Sequence, residues 1–310
     1  MVRSACRLLV CLALSSCGGG NTLRASPSGA DKEAPTVQIA VDALDKTTES
    51  PAMVRIRVTA AQDNIDVTAF CLRASSAAPA ATDACFSDVR EWTEAIGPAW
   101  RVWARDAAGN VSAGVTDNPC SNDAKAAAAA SSLPTVCLLT DAGEIVVELE
   151  SAKAPNSARN FLQYVSDGFY ADTVFHRIVS DLVVQGGGFA VRNGVRVLKT
   201  EADGLRAAIP LEKTSDTGLS NLVGTLAMAR TSDVNSATSQ FFINVVDNNQ
   251  KLDADGSFAP GQGYAVFGRV IRGMSTTVQI LRTAQVGING QGEVSAPTRD
   301  LFIRWASLMK

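Results

Sequence analysis

Among 310 residues there is one histidine, His176, and it stands directly before Arg177. A single imidazole rules out a histidine-rich metal centre and ties any Ser-His-Asp or Cys-His scheme to that one residue. The remaining candidates point to recognition rather than covalent chemistry. Gln240 and Phe242 lie two apart in an apolar run, so on a strand they share a face while Phe241 and Ile243 take the other. The same alternation places Val183 beside Gln185. Two carboxamides can read a peptide backbone, and apolar neighbours can hold a pyrrolidine ring, so these faces suit an extended Xaa-Pro ligand. Taken singly, Arg177 is an ordinary surface ion-pair residue and His176 a packed or hydrogen-bonded structural one. Asp253-Ala254-Asp255-Gly256 lacks the third acid and the distal glutamate of a calcium loop. Gly287-Ile288-Asn289-Gly290-Gln291-Gly292 has no strand-to-helix context for phosphate and reads as a turn.

The elements that must position these residues begin near Thr135. Val136–Leu139 and Ile145–Leu149 flank Asp141-Ala142-Gly143, a hairpin signal. Pro155 suits a first helical turn, and Ala158, Phe161, Leu162 and Val165 recur at i, i+3, i+4 and i+7 before Gly168, which predicts one amphipathic helix. Strand-like segments follow at Val183–Gln185, Gly224–Met228, Gln240–Val245, Ala265–Val270 and Leu301–Ala306, with a helical stretch near Met274–Leu281. Many strands and two helices predict a closed barrel with helical ends.

Five blocks in this order carry a resemblance: Phe175-His-Arg-Ile-Val179, Val184-Gln-Gly-Gly-Gly188, Gly224-Thr-Leu-Ala-Met-Ala-Arg230, Ser236-Ala-Thr-Ser-Gln-Phe-Phe-Ile-Asn244 and Gly263-Tyr-Ala-Val-Phe-Gly268. Together with Glu-Ala-Asp-Gly-Leu at 201–205, they resemble the cyclophilin family of peptidyl-prolyl cis/trans isomerases, in particular its bacterial members. The resemblance implies a closed eight-stranded antiparallel β-barrel capped by two helices, binding proline-containing polypeptides on its outer surface without a cofactor or metal. Matched position by position, it makes Arg177, Gln185, Gln240 and Phe242 catalytic. Leu182, Val183 and Leu252 join Phe242 in a proline pocket, Ala229 and Arg230 meet the peptide through backbone groups, and Tyr264 stands where many relatives have histidine. Leu182 replaces a usual phenylalanine, Val183 a methionine and Lys251 a position often held by tryptophan, which implies weak cyclosporin binding. The 254–263 segment reads as a surface loop at the pocket edge. The chemistry needs no nucleophile, because the barrier of about 18–20 kcal/mol is amide resonance. An arginine meeting the pyramidal prolyl nitrogen would favour the twisted amide over either planar state. That role requires the guanidinium to face the groove rather than turn inward onto an acid, and the hollow to be open. The competing reading is a proline-peptide-binding or chaperone module without turnover.

Upstream, the composition changes. Val54, Ile56 and Val58 alternate with Arg55, Arg57 and Thr59, and Val37–Val41, Val67–Leu72 and Trp100–Arg105 are further strands. Trp100 to Ser112 resembles the closing hairpin of bacterial immunoglobulin-like domains, with Gly109 and Asn110 supplying the turn because both tolerate positive φ. Trp92, Trp100 and Trp103 read as packing residues rather than a sugar platform. Residues 35–120 are therefore expected to form an all-β immunoglobulin-like sandwich, with an unidentified envelope partner, and 121–133, containing Ala126–Ala130, an alanine-rich linker or short helix. The isomerase-like domain spans 134–310.

Hydrophobic residues at 46% and charged residues at 19% provide a core and exclude a disordered chain. Lys plus Arg total 28 against 31 Asp plus Glu, so nothing in the balance attracts nucleic acid. Residues 1–16 hold Arg3, Arg7 and the short apolar run Leu8–Leu14, a signal-peptide pattern too short to span a bilayer. Leu14-Ser15-Ser16-Cys17 resembles a bacterial lipobox, which makes Cys17 the lipidated first residue of the mature chain. Residues 17–34 are then a flexible tether. Removing Arg3 and Arg7 leaves 26 bases against 31 acids, a formal −5, so membrane contact is expected through the lipid alone; Gly18 after Cys17, by resemblance to lipoprotein sorting, argues against inner-membrane retention, and the expected location is the periplasmic face of the outer membrane. Export exposes Cys71, Cys85, Cys120 and Cys137 to a disulfide-permissive compartment with three pairings open. Cys71 with Cys85 is the local choice; Cys137 could instead be a buried thiol, leaving Cys120 unpaired.

Overall fold

The computed structural model describes residues 31–43, 53–75, 77–95 and 100–310; the signal segment, Cys17 and most of the tether lie outside them. In chain order the elements are β1 (Thr36–Ala43), β2 (Met53–Gln62), β3 (Val67–Arg73), β4 (Glu91–Ala95), β5 (Arg101–Asp106), α1 (Asn122–Ala130), β6 (Thr135–Thr140), β7 (Gly143–Leu149), α2 (Pro155–Ser166), β8 (Thr173–Val179), β9 (Val183–Arg192), β10 (Val195–Leu198), α3 (Thr214–Thr217), β11 (Thr225–Met228), β12 (Phe241–Asn244), α4 (Asn249–Leu252), β13 (Val266–Arg272), α5 (Gln279–Arg282), β14 (Val286–Ile288), β15 (Val294–Pro297) and β16 (Phe302–Leu308).

Eight strands close on themselves in the order β9-β12-β11-β13-β7-β6-β16-β8, because β8 pairs back onto β9; β10 extends β9 as a hairpin. Every pairing is antiparallel. The barrel is therefore the closed eight-stranded one that the resemblance implies. Its interior is filled by alternating inward residues, among them Val136, Leu138, Ile145, Val147, Phe241, Ile243 and Phe267. The apolar stripe of α2 lays Phe161 and Tyr164 over one end. There Phe161 meets Phe241 edge-on at 5.3 Å, an arrangement that aromatic quadrupoles favour, and packs at a 37° tilt against Tyr170 at 5.1 Å.

The N-terminal region forms a three-stranded sheet, β1-β2-β4, and a two-stranded one, β3-β5. Both contribute to one apolar cluster that includes Val37, Ile56, Phe70 and Val102. These are five strands among the described residues, against seven in an immunoglobulin constant-type sandwich. Trp103 is buried, and Trp92 and Trp100 are half-buried against the cluster. In the hairpin turn Gly109 uses its tolerance of positive φ, with φ +92, and Asn110 does not. Asn110 works through hydrogen bonds instead, its backbone and side-chain N–H donating to the Asp106 carboxylate at 2.8 and 2.7 Å.

Residues 121–133 are not a free linker. Ser121 caps α1 by accepting from the Ala124 amide, and its own hydroxyl donates to Glu144 of β7 at 2.6 Å. Ala124 and Ala128 then bury against Cys120, Cys137 and Val146. Cys120 is bonded to Cys137, and Cys71 to Cys85, so the free-thiol alternative is overturned and the local pairing stands. Trp305 of β16 and Leu139 of β6 pack into the N-terminal cluster, so the two domains also share apolar contacts.

Candidate functional site

One row of residue partners runs across five strands of the barrel wall. Arg177 of β8 faces Gln185 of β9, Gln185 faces Phe242 of β12, Phe242 faces Ala227 of β11, and Ala227 faces Val266 of β13. With neighbouring strands about 4.8 Å apart, a cation, a carboxamide and an aromatic ring sit side by side on the outer surface. The alternation expected at Gln240–Ile243 holds: Phe241 and Ile243 belong to the barrel core, whereas Phe242 joins a separate outer cluster with Leu182, Val183, Ala227, Ala229, Leu252 and Val266.

Strict alternation along β8 would put Arg177 on the same face as Phe175, yet Phe175 is fully buried in the core. A bulge resolves the conflict. Phe175 pairs with Gly186 and Arg177 with Gln185, so His176 is an extra residue between them. The bulge re-aims Arg177 outward, a use of bulges common beside active sites.

The polar residues of the row form a relay. Arg177 donates through Nε and Nη2 to the two oxygens of Glu293, each at 2.7 Å, and Nη1 approaches Gln185 Oε1 at 3.4 Å. Gln185 Nε2 donates to Gln240 Oε1 at 3.1 Å. This order fixes both carboxamides and leaves the Gln240 NH2 as the terminal donor of the chain. The hydrogen bond from Arg177 holds the Glu293 carboxyl below its usual range, so the pair is ionised. Arg177 thus has an acidic neighbour, but its head group lines the groove and is not buried beneath it: its side chain keeps 29% exposure, and the groove, of about 1090 Å³, is open.

The apolar half is held from behind by buried asparagines. Asn248 Nδ2 donates to the Leu182 carbonyl and to Asn244 Oδ1, both at 2.8 Å. Asn244 donates to Asn221 Oδ1 at 3.2 Å, and Asn221 Nδ2 donates to Asp253 at 2.7 Å and to the Leu252 carbonyl at 3.2 Å. Leu182 and Leu252 are therefore set by one polar ladder, and Asp253 is a structural acceptor rather than part of a cation loop. Arg230 stacks on Tyr264 at 4.5 Å and donates through Nε and Nη2 to the Gly263 carbonyl, while Tyr264 meets Phe242 edge-on at 5.7 Å. The Arg230 side chain thereby fixes the pocket's far wall. The Ala229 amide donates to the Gln240 carbonyl at 3.0 Å, which leaves its carbonyl as the backbone group that could meet a peptide.

His176 packs at a 44° tilt against Phe189 with ring centroids 4.4 Å apart, and burial lowers its pKa from 6.5 to about 4. It is neutral at pH 7, which suits a structural bulge residue. Its proton is favoured in the unfolded chain, so its contribution to stability is complete above about pH 6.5 and is lost as pH falls toward 4. In urea unfolding at pH 7.5 and 5, His176→Gln should lose less stability than wild type across that interval, and an equal loss in both proteins would contradict the burial.

An open groove on a closed barrel, with a donor relay on one side and a proline-sized apolar hollow on the other, defines a protein that binds extended proline peptides. The family described as cyclophilin type peptidyl-prolyl cis-trans isomerase/CLD matches residues 135–303, and the chain belongs to it. It is a peptidyl-prolyl cis/trans isomerase. Peptidyl-prolyl cis-trans isomerase A of Dickeya dadantii is 40% identical over 182 residues, covering 59% of this chain and 88% of the relative. Isomerase B of Escherichia coli is 40% identical over 164 residues, covering 53% and 93%. A solved cyclophilin-type isomerase of Cryptosporidium parvum shares 22% identity with a TM-score of 0.43, covering 56% of this chain and 96% of its own.

All ten candidate residues of the barrel line or back the same groove. Sequence reasoning missed Glu293 and the exposed rim residue Ile288, whereas Phe258, also exposed beside the groove, lies in the 254–263 segment expected at the pocket edge. Glu293 had one available signal, being the only acid between Thr283 and Arg299, directly after a glycine-rich turn.

Proposed function

We propose that Arg177 is the catalytic residue of this isomerase, acting on exposed Xaa-Pro bonds of polypeptides in the cell envelope. The observation that carries the reading is the row Arg177-Gln185-Phe242 on one outer face. A proline ring seated against Phe242, Val183, Leu182 and Leu252 would place its nitrogen toward the guanidinium. As the imide twists, that nitrogen becomes pyramidal and gains a lone pair, so an Arg177 N–H binds the transition state better than either planar ground state. Gln240 and Gln185 hold the flanking backbone. No step in this mechanism calls for a cofactor. The test is exchange NMR on a short Ala-Pro peptide: catalysed exchange in wild type that is lost in Arg177→Ala supports the reading. Equal exchange in both, with peptide still bound, would leave a binding module.

The envelope assignment rests on the sequence: the Leu14–Cys17 lipobox and the tether after it support a lipid anchor at Cys17 on the periplasmic face of the outer membrane. The β-sheet region before the barrel is read as an immunoglobulin-like spacer or adhesion module with an envelope partner. Cys17→Ala should move the protein from the membrane to the soluble fraction, and unchanged membrane retention would reject the anchor.

A further inference from the structure

Glu293 does more than neutralise a charge. It is presented by the turn between β14 and β15, and that turn is built around Asn289. The Asn289 Oδ1 accepts from the amides of Gln291 and Glu293 at 2.9 and 3.0 Å. Its Nδ2 donates to the fully buried Ser295 hydroxyl at 3.0 Å and to Glu293 Oε2 at 3.3 Å. Backbone pairing from the Asn289 amide to the Glu293 carbonyl at 2.8 Å closes the turn. The carboxylate is therefore fixed before it meets Arg177, and the hairpin that holds it lies beside the strand that carries the arginine.

A fork-to-fork arginine–carboxylate pair constrains the guanidinium plane as well as its position. Here Nε and Nη2 are taken by Glu293, which leaves the Nη1 edge toward Gln185 and the groove. We infer that Glu293 is a positioning residue for the isomerisation: seated by Asn289, it locks the Arg177 guanidinium so that the Nη1 edge is held ready for the prolyl nitrogen. The inference rests on the catalytic reading of Arg177. An arginine without this clamp samples several rotamers and must be ordered in each turnover, because its flexible stem carries substantial rotamer entropy. Glu293 leaves the apolar hollow untouched, so its loss falls on turnover and not on binding.

The experiment compares kcat and KM for an Ala-Pro peptide in the full chain, with folding checked by melting. Glu293→Ala should lower kcat about tenfold with KM within about twofold, and Asn289→Ala, which keeps the carboxylate but unseats it, should fall between it and wild type. Glu293→Asp should recover part of the loss. The double variant Arg177→Ala/Glu293→Ala should be no slower than Arg177→Ala alone, the coupling expected when one residue acts through another. The Arg177 Nε–H resonance should be a distinct, slowly exchanging signal in wild type and be lost in Glu293→Ala. If Arg177→Ala is slow while Glu293→Ala turns over at or above the wild-type rate, the positioning role is overturned and the catalytic reading stands. If Arg177→Ala itself retains wild-type turnover, the catalytic reading falls and the positioning role with it.

Discussion

Arg177→Ala should lower kcat/KM by about 10- to 150-fold while changing peptide affinity far less. The magnitude follows from the kind of bond removed, since a charge-assisted hydrogen bond is worth roughly 1.5–3 kcal/mol and each 1.36 kcal/mol is a decade in rate. The partition follows from the acceptor: the prolyl nitrogen has no available lone pair while the imide is planar, so the bond exists only in the twisted state. The hollow formed by Phe242, Leu182 and Leu252 is held by the Asn221-Asn244-Asn248 ladder and not by Arg177, so it survives the substitution. Folding should hardly change, because a half-exposed ion pair contributes at most about 1 kcal/mol. Arg177→Lys keeps the charge but not the planar fork, and it should recover little. Titrating an Ala-Pro peptide while following its cis/trans exchange separates binding from turnover. Parallel losses of affinity and rate would mean that Arg177 only holds substrate.

How much of this site was legible in the sequence depended on whether local periodicity governed the residue. Gln240, Phe242, Val183 and Gln185 lie on regular strand segments, where side chains alternate, and their faces could be read directly. Arg177 lies one residue past a bulge, and period two alone would have set it in the core with Phe175. Only its place in the Phe-His-Arg block marked it as exposed to substrate. Glu293 is 116 residues further along, and nothing local couples it to Arg177; the pair exists because the β14-β15 hairpin, a two-stranded sheet separate from the barrel, lies beside β8. The same reasoning covers the alanine-rich stretch. Alanine propensity predicts a helix, but its docking depends on a disulfide to β6 and on Glu144 of β7, neither of which a window around residue 126 contains.

The Gln-Gly-Gly-Gly block gives the largest stability effect. Gly187 has φ +83, and a Cβ there would lie 2.8 Å from Tyr170 Cε1 and 2.9 Å from Phe241 Cε1, both in the fully buried aromatic cluster. Neither ring can retreat easily, because Tyr170 is tied through its hydroxyl to the Ser239 carbonyl at 2.8 Å and Phe241 packs edge-on against Phe161. Gly187→Ala therefore combines a left-handed backbone penalty of about 1–3 kcal/mol with overpacking of about 1–3 kcal/mol. A loss of about 2–6 kcal/mol is expected, a large share of the roughly 5–15 kcal/mol that holds a domain folded. Gly188→Ala acts differently: its Cβ would lie 2.4, 2.7 and 2.9 Å from Gln240 Cγ, Cδ and Nε2, so it meets one partly exposed side chain that must rotate away rather than a packed ring, and the relay is displaced at less cost to the fold. Chemical denaturation of the two variants beside Ala-Pro exchange should separate them, with Gly187→Ala losing mainly stability and Gly188→Ala mainly turnover. The reverse pattern would show that the groove, and not the aromatic core, sets the conformation of this strand.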